Sequence, residues 1–147
     1  MDSNEQIREG YIKLIIEKAP NVILTLGAGR SISPITFESK VKHFFNCVQR
    51  GARGRNWSKW SAESKPIAIG FNEKPDTNPH MHLAVKLEPD LIPAFRDAEI
   101  IWREIRPAGH YYFNYIEAPE KYARYITKTF YLPTTSDEPF VYYGSSI

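Results

Sequence analysis

The segment His80–Lys86, HMHLAVK, restricts the fold more than any other stretch because it alternates residue by residue. In a strand, residues i and i+2 share a face. Met81, Leu83 and Val85 therefore look to one side, and His80, His82 and Ala84 to the other. Such a strand needs an apolar layer against its first face and carries two imidazoles on its second. Residues 66–73 (PIAIGFNE) read as a strand too, and KPDTNP between the two is rich in turn formers. With residues 74–79 as the connection, Glu73 stands opposite His80 and Phe71 opposite His82. Directly opposed residues of antiparallel strands share a face. A slip of one residue would turn Glu73 to the wrong side.

Helix and strand signals flank this hairpin. Residues 4–18 predict a helix capped by Ser3 with Gln6 in a capping box, and Ile7, Tyr11, Leu14 and Ile15 form its apolar face. Pro20 ends it, and residues 21–26 (NVILTL) predict a buried strand. Ser33-Pro34 opens a second helix, with Phe37, Val41, Phe44, Phe45 and Val48 as its buried stripe. A third helix is expected over 89–105, with Leu91, Ile92, Phe95, Ala98 and Trp102 inward. Residues 109–116 predict an aromatic strand. Pro119 begins a helix reaching about residue 130, LPTTSD forms a loop, and EPFVYYG predicts a last strand. The middle six elements run β-α-β-β-α-β, the order of a ferredoxin-like split βαβ unit. The fold class expected is α+β: an antiparallel sheet with helices on one face and a tyrosine-bearing helix near the open face.

A chain of 147 residues fits one domain, 1–147. No apolar run is long enough to span a bilayer, and the polar start MDSNEQIREG is no secretory signal. Cys47 is the only cysteine, which excludes an intrachain disulfide and a cysteine-built zinc site. A cytoplasmic setting without membrane partners is the expectation. The net charge of +2 is unremarkable, but residues 40–65 hold seven Lys/Arg against one acid, Glu63. There Arg50, Arg53 and Arg55 interleave with Trp57, Lys59 and Trp60. Arginine meets phosphate and indole stacks on bases. An equally weighted reading is a solvated loop that its tryptophans anchor to the core.

Two imidazoles about 7 Å apart along one strand face can reach one cation, with Glu73 as third ligand and Asp76 as a weaker substitute. Such a nitrogen and oxygen set suits Mn²⁺ or Mg²⁺, and Zn²⁺ or Ni²⁺ in vitro, with positions left for substrate oxygens. A His-x-His strand without function is the alternative. Tyr122, Tyr125 and Lys128 are spaced three apart and fall near one helix face. A lysine one turn away would help an attacking phenolate. The alternative is a helix that packs both tyrosines on the sheet with Lys128 in solvent.

The motifs together resemble the HUH endonuclease superfamily, named for its His-hydrophobe-His metal motif. Within it they look like the single-tyrosine rolling-circle replication initiators (Rep) of bacterial plasmids, phages or viruses. VILTL at 22–26 resembles the first motif, HMH at 80–82 the second, and YITK at 125–128 the third, in the family's order. The similarity spans roughly residues 21–130. It implies His80 and His82 as metal ligands with Glu73 as the third, Tyr125 as nucleophile and Lys128 as its partner. Tyr122 is support or a lower-ranked nucleophile, because paired tyrosines in that family are usually four apart. It also implies nicking and rejoining of single-stranded DNA or an origin hairpin through a 5′-phosphotyrosine, with host replication proteins as partners. Arg50, Arg53, Arg55, Trp57, Lys59 and Trp60 would hold DNA. Two other readings stand beside this one. One is a transposase of the same superfamily. The other is a non-catalytic, single-stranded nucleic-acid-binding module using the aromatic strand HYYFNY.

Overall fold

The computed structural model describes residues 2–73, 78–128 and 140–144. Helix α1 spans Ser3–Glu17, and its cap is Asp2, not Ser3. The Asp2 carboxylate accepts the Glu5 amide at 2.8 Å, so the cap lies one residue before the expected Ser3. Strand β1, Val22–Gly27, leads into α2, Pro34–Arg53. Ser33 caps α2 by accepting the Thr36 amide, with Pro34 at the first position. After two short 3-10 turns come β2, Ile67–Glu73, and β3, His80–Lys86. The expected single helix after β3 is two: α3, Ile92–Arg96, and α4, Glu99–Ile105. Asp97 and Ala98 leave helical geometry between them, with ψ of 18° and 10°. The break costs the core nothing, since Leu91, Phe95, Ala98 and Trp102 are all buried. Strand β4, His110–Tyr115, helix α5, Pro119–Thr127, and strand β5, Phe140–Tyr143, complete the order.

The molecule is α+β. Its five strands form one sheet in the order β4-β1-β3-β2-β5, and every neighbouring pair is antiparallel. The hairpin register is the expected one: Glu73 pairs with His80 and Phe71 with His82.

Alternation along these strands creates two cores. On one face Val22, Leu24, Leu26, Met81, Leu83 and Val85 meet the α2 stripe, Phe95 and Trp102. On the other, Ile69, Phe71 and Ala84 meet Ile12 and Ile15 of α1 and Ala123 and Ile126 of α5. Helices therefore lie on both faces: α5 stands on the second face, where the tyrosine-bearing helix was expected, and α1 is added beside it, so that this face is covered rather than open. The reason is the apolar character of Ile69, Phe71 and Ala84, which two amphipathic helices remove from water. Ile7, expected in the α1 stripe, is 50% exposed. At that turn α1 docks through polar groups instead. Arg8 donates to the Thr127 hydroxyl at 3.1 Å and to the Arg124 carbonyl at 2.8 Å.

Candidate functional site

Strand pairing sets the site out in rows on the face shared with α5. At the sheet end, one row runs His110, Gly27, His80, Glu73 across β4, β1, β3 and β2. The next row runs Tyr112, Thr25, His82, Phe71. The two histidines of HMH and the strand-end glutamate thus share a face, as the sequence predicts.

The hydrogen bonds define ring states. His80 Nδ1 lies 2.7 Å from the Asn78 carbonyl oxygen. A carbonyl only accepts, so Nδ1 is the donor, and in a neutral ring this leaves the lone pair on Nε2, the tautomer of a metal-binding imidazole. His82 Nε2 lies 2.8 Å from Glu73 Oε2, and its Nδ1 lies 3.3 Å from the Thr25 hydroxyl. Burial holds His82 below the ordinary imidazole range and outweighs the pull of Glu73. The neutral ring donates from Nε2 to Glu73 and accepts from Thr25 at Nδ1. The Thr25 hydroxyl can rotate, so it can also accept from the other tautomer.

Helix α5 brings the tyrosines to this face. The Tyr125 ring meets His82 edge-on, with centroids 6.0 Å apart, and it is 49% exposed. Lys128 Nζ stands 4.3 Å from the centre of the Tyr125 ring. Tyr122 stacks beside Tyr125 at 6.3 Å but is held differently. Its hydroxyl donates to the Leu83 carbonyl at 3.1 Å, and burial pushes its pKa well up. Tyr122 is thus partly buried and bonded, and Tyr125 is the accessible phenol of the two.

His110 was not singled out by the sequence reading. Its ring lies parallel to that of His80, with centroids 6.4 Å apart and planes at 10°. Gly27 sits between them, and a Cβ there would lie 3.1 Å from His110 Cβ and 3.2 Å from His80 Cδ2. The signal in the chain was the glycine closing a β-rich run paired with a histidine opening an aromatic one.

A groove of about 690 Å³ leads to His82 and Tyr125 between β1, β4 and α5. Thr25, Tyr112, Asn114, Tyr115 and Lys121 contribute to its walls. Tyr112 is about half exposed, so the groove offers an aromatic face beside polar groups.

The basic stretch lies elsewhere. α2 packs on the opposite sheet face, and its C-terminal end is nearer Ile67 than Glu73, because it runs back from the Gly27 end of β1. Arg53 is committed: it makes a bidentate pair with Asp90 at 2.9 and 3.0 Å and lies 4.0 Å from the Trp60 ring centre. Its side chain is 1% exposed, which removes it from the DNA-contacting set. Arg50, Arg55, Lys59 and Trp60 are exposed and Trp57 is half-buried, but none of them borders the groove.

Among the described residues, no three His, Cys, Asp or Glu side chains are already gathered at metal-holding distance. Glu73 and His82 touch directly, and His80 stands beside them in register with Glu73. Two imidazoles, one already in the ligand tautomer, and a carboxylate fit a divalent cation by donor type. Asp76 lies outside the described residues. No protein-family model, no curated protein and no solved structure matches the chain. Among the described residues, no helix is long and apolar enough to cross a membrane.

Proposed function

We propose that the protein is a metal-dependent single-strand DNA nickase and strand transferase of the HUH replication-initiator kind, on a ferredoxin-like split βαβ core. The strand order supports the fold reading: β3 lies between the parallel strands β1 and β2, and β1 lies between β3 and β4. The observation that carries the function is Tyr125. It is an exposed phenol edge-on to His82, on the sheet face that holds His80 and Glu73.

In this reading a single strand lies in the groove, a base against Tyr112. The Tyr125 hydroxyl attacks phosphorus in line. The Oη–P bond forms as the P–O3′ bond breaks, the phenol proton leaves, and the departing oxygen takes up a proton as a free 3′-OH. The Lys128 ammonium steadies the phenolate, and Tyr122 fixes the pitch of the helix against Leu83. Mn²⁺ or Mg²⁺ held by His80, His82 and Glu73 would supply Lewis-acid neutralisation of phosphate charge. The phosphotyrosine keeps the ester, so a later 3′-OH reverses the step and reseals the strand. That free 3′-OH is what a host polymerase would extend.

The test is incubation with Mn²⁺ and a random single-stranded DNA library. A covalent adduct that survives denaturation is expected from the wild type and not from Tyr125→Phe. An adduct that persists in Tyr125→Phe would refute the assignment.

A further inference from the structure

The sheet face away from the histidines carries a second pocket, of about 400 Å³, at the β2–β5 edge. Lys42, Gln49, Trp57, Lys65, Tyr142 and Tyr143 contribute to its lining, and among the described residues no acidic one does. The volume falls within the range of small-ligand sites.

Gln49 makes this more than a surface dent. It sits on α2 and is only 1% exposed. Its Nε2 donates to the Phe45 carbonyl at 3.2 Å and to the Tyr143 hydroxyl oxygen at 2.7 Å. The Tyr143 hydroxyl in turn donates to Asn46 Oδ1 at 2.5 Å. These bonds fix the amide, because Phe45 offers only an acceptor. Gln49 Oε1 is then buried without a hydrogen-bond partner among the described residues. A buried acceptor left unpaired is costly, about 1–3 kcal/mol, and a ligand N–H would satisfy it. Lys65 is oriented by its bond to the Ser58 carbonyl at 2.7 Å and keeps two further donors. Lys42 pairs with Glu38 at 3.2 Å and likewise retains donors.

We propose that this pocket binds one nucleotide. The base stacks on the Trp57 indole, a base N–H donates to Gln49 Oε1, and the phosphate lies against Lys42 and Lys65. A flat ring with a donor and an attached anion is the chemistry the wall, floor and rim share. The source is either a free mononucleotide or one residue of a single strand. The assignment does not depend on nicking, and it gives the tryptophan of the basic stretch a role distant from Tyr125.

The three tryptophans give three indole N–H resonances, and Trp57→Phe identifies its own. The full chain is titrated with adenosine and thymidine monophosphates, with ribose 5-phosphate, and with a short single-stranded oligonucleotide. A nucleotide is expected to move the Trp57 signal saturably and leave that of buried Trp102 in place. Trp57→Ala and Lys65→Ala, followed by calorimetry, should each weaken binding about tenfold. Gln49→Met should change the ranking of the bases. Tyr125→Phe, which abolishes the adduct, should leave the mononucleotide titration of the Trp57 signal as it is in the wild type. Movement with the mononucleotides supports a free-nucleotide site, and movement with the oligonucleotide alone supports a strand-holding site. A Trp57 signal unmoved by both overturns the proposal. So does ribose 5-phosphate binding as tightly as the nucleotides, which would mean a simple anion site.

Discussion

Tyr125 stands edge-on to His82, with ring planes at 85° and centroids 6.0 Å apart, while Tyr122 on the same helix is bonded to the Leu83 carbonyl. One phenol is presented and the other is consumed. Tyr125→Phe should abolish adduct formation while leaving the urea midpoint close to wild type. Tyr122→Phe should retain the adduct and lose about 1 kcal/mol of stability, the usual worth of a buried hydrogen bond. Parallel denaturation and adduct assays on both variants check this pair of outcomes.

Gly27 keeps the His80 and His110 rings adjacent across β1. A methyl group there would press on both rings at little over 3 Å. Gly27→Ala should therefore weaken Mn²⁺ binding, read by calorimetry, several-fold or more. The fold should be unharmed, because alanine is no worse than glycine in a strand. Unchanged Mn²⁺ affinity in a folded Gly27→Ala protein would count against a site at this row.

The Arg53–Asp90 pair ties the end of α2 to the approach of α3. Arg53→Ala should cost about 1 kcal/mol, allowing for the solvent screening of a half-exposed carboxylate. Arg53 holds the Asp90 carboxyl below its ordinary range. A depressed folded pKa means this contribution is present above the unfolded carboxylate value. It fades as the pH falls through the folded one. Wild type and Arg53→Ala should thus converge in stability in acid.

Sequence reached much of this site and stopped at identifiable places. The alternation of HMHLAVK fixes which side each residue faces, and the six-residue connection fixes the Glu73–His80 register. These are local and periodic signals. The place of α5 on the second face was expected, whereas the addition of α1 there depends on Ile69, Phe71 and Ala84 meeting a helix far away in sequence, which no local pattern encodes. His110 was missed because its partner, His80, is two strands away across a glycine. The basic stretch was a candidate for holding DNA by its composition, but it lies at and after the end of α2, which packs on the opposite layer. There Asp90, distant in the chain, takes up Arg53.

Alkaline stability offers an independent check on the two cores. Burial raises the pKa of Tyr111, whose hydroxyl donates to the Phe95 carbonyl, and that of Tyr122 on the other face. Both phenols are neutral in the folded protein. Their raised values favour the fold fully below the unfolded tyrosine pKa near ~10, and that favour is lost as pH climbs toward the folded values. Spectrophotometric titration should show these two ionising only with unfolding, after the exposed tyrosines. The Tyr111→Phe and Tyr122→Phe variants should each remove one late phenol.

The most direct measurement of the central claim is peptide mapping of the protein–DNA adduct by mass spectrometry. Protein treated with Mn²⁺ and single-stranded DNA, then digested by nuclease and protease, should yield a nucleotide phosphate on Tyr125 alone. The same phosphate on Tyr122, or cleaved DNA with no tyrosine modified, would contradict the account.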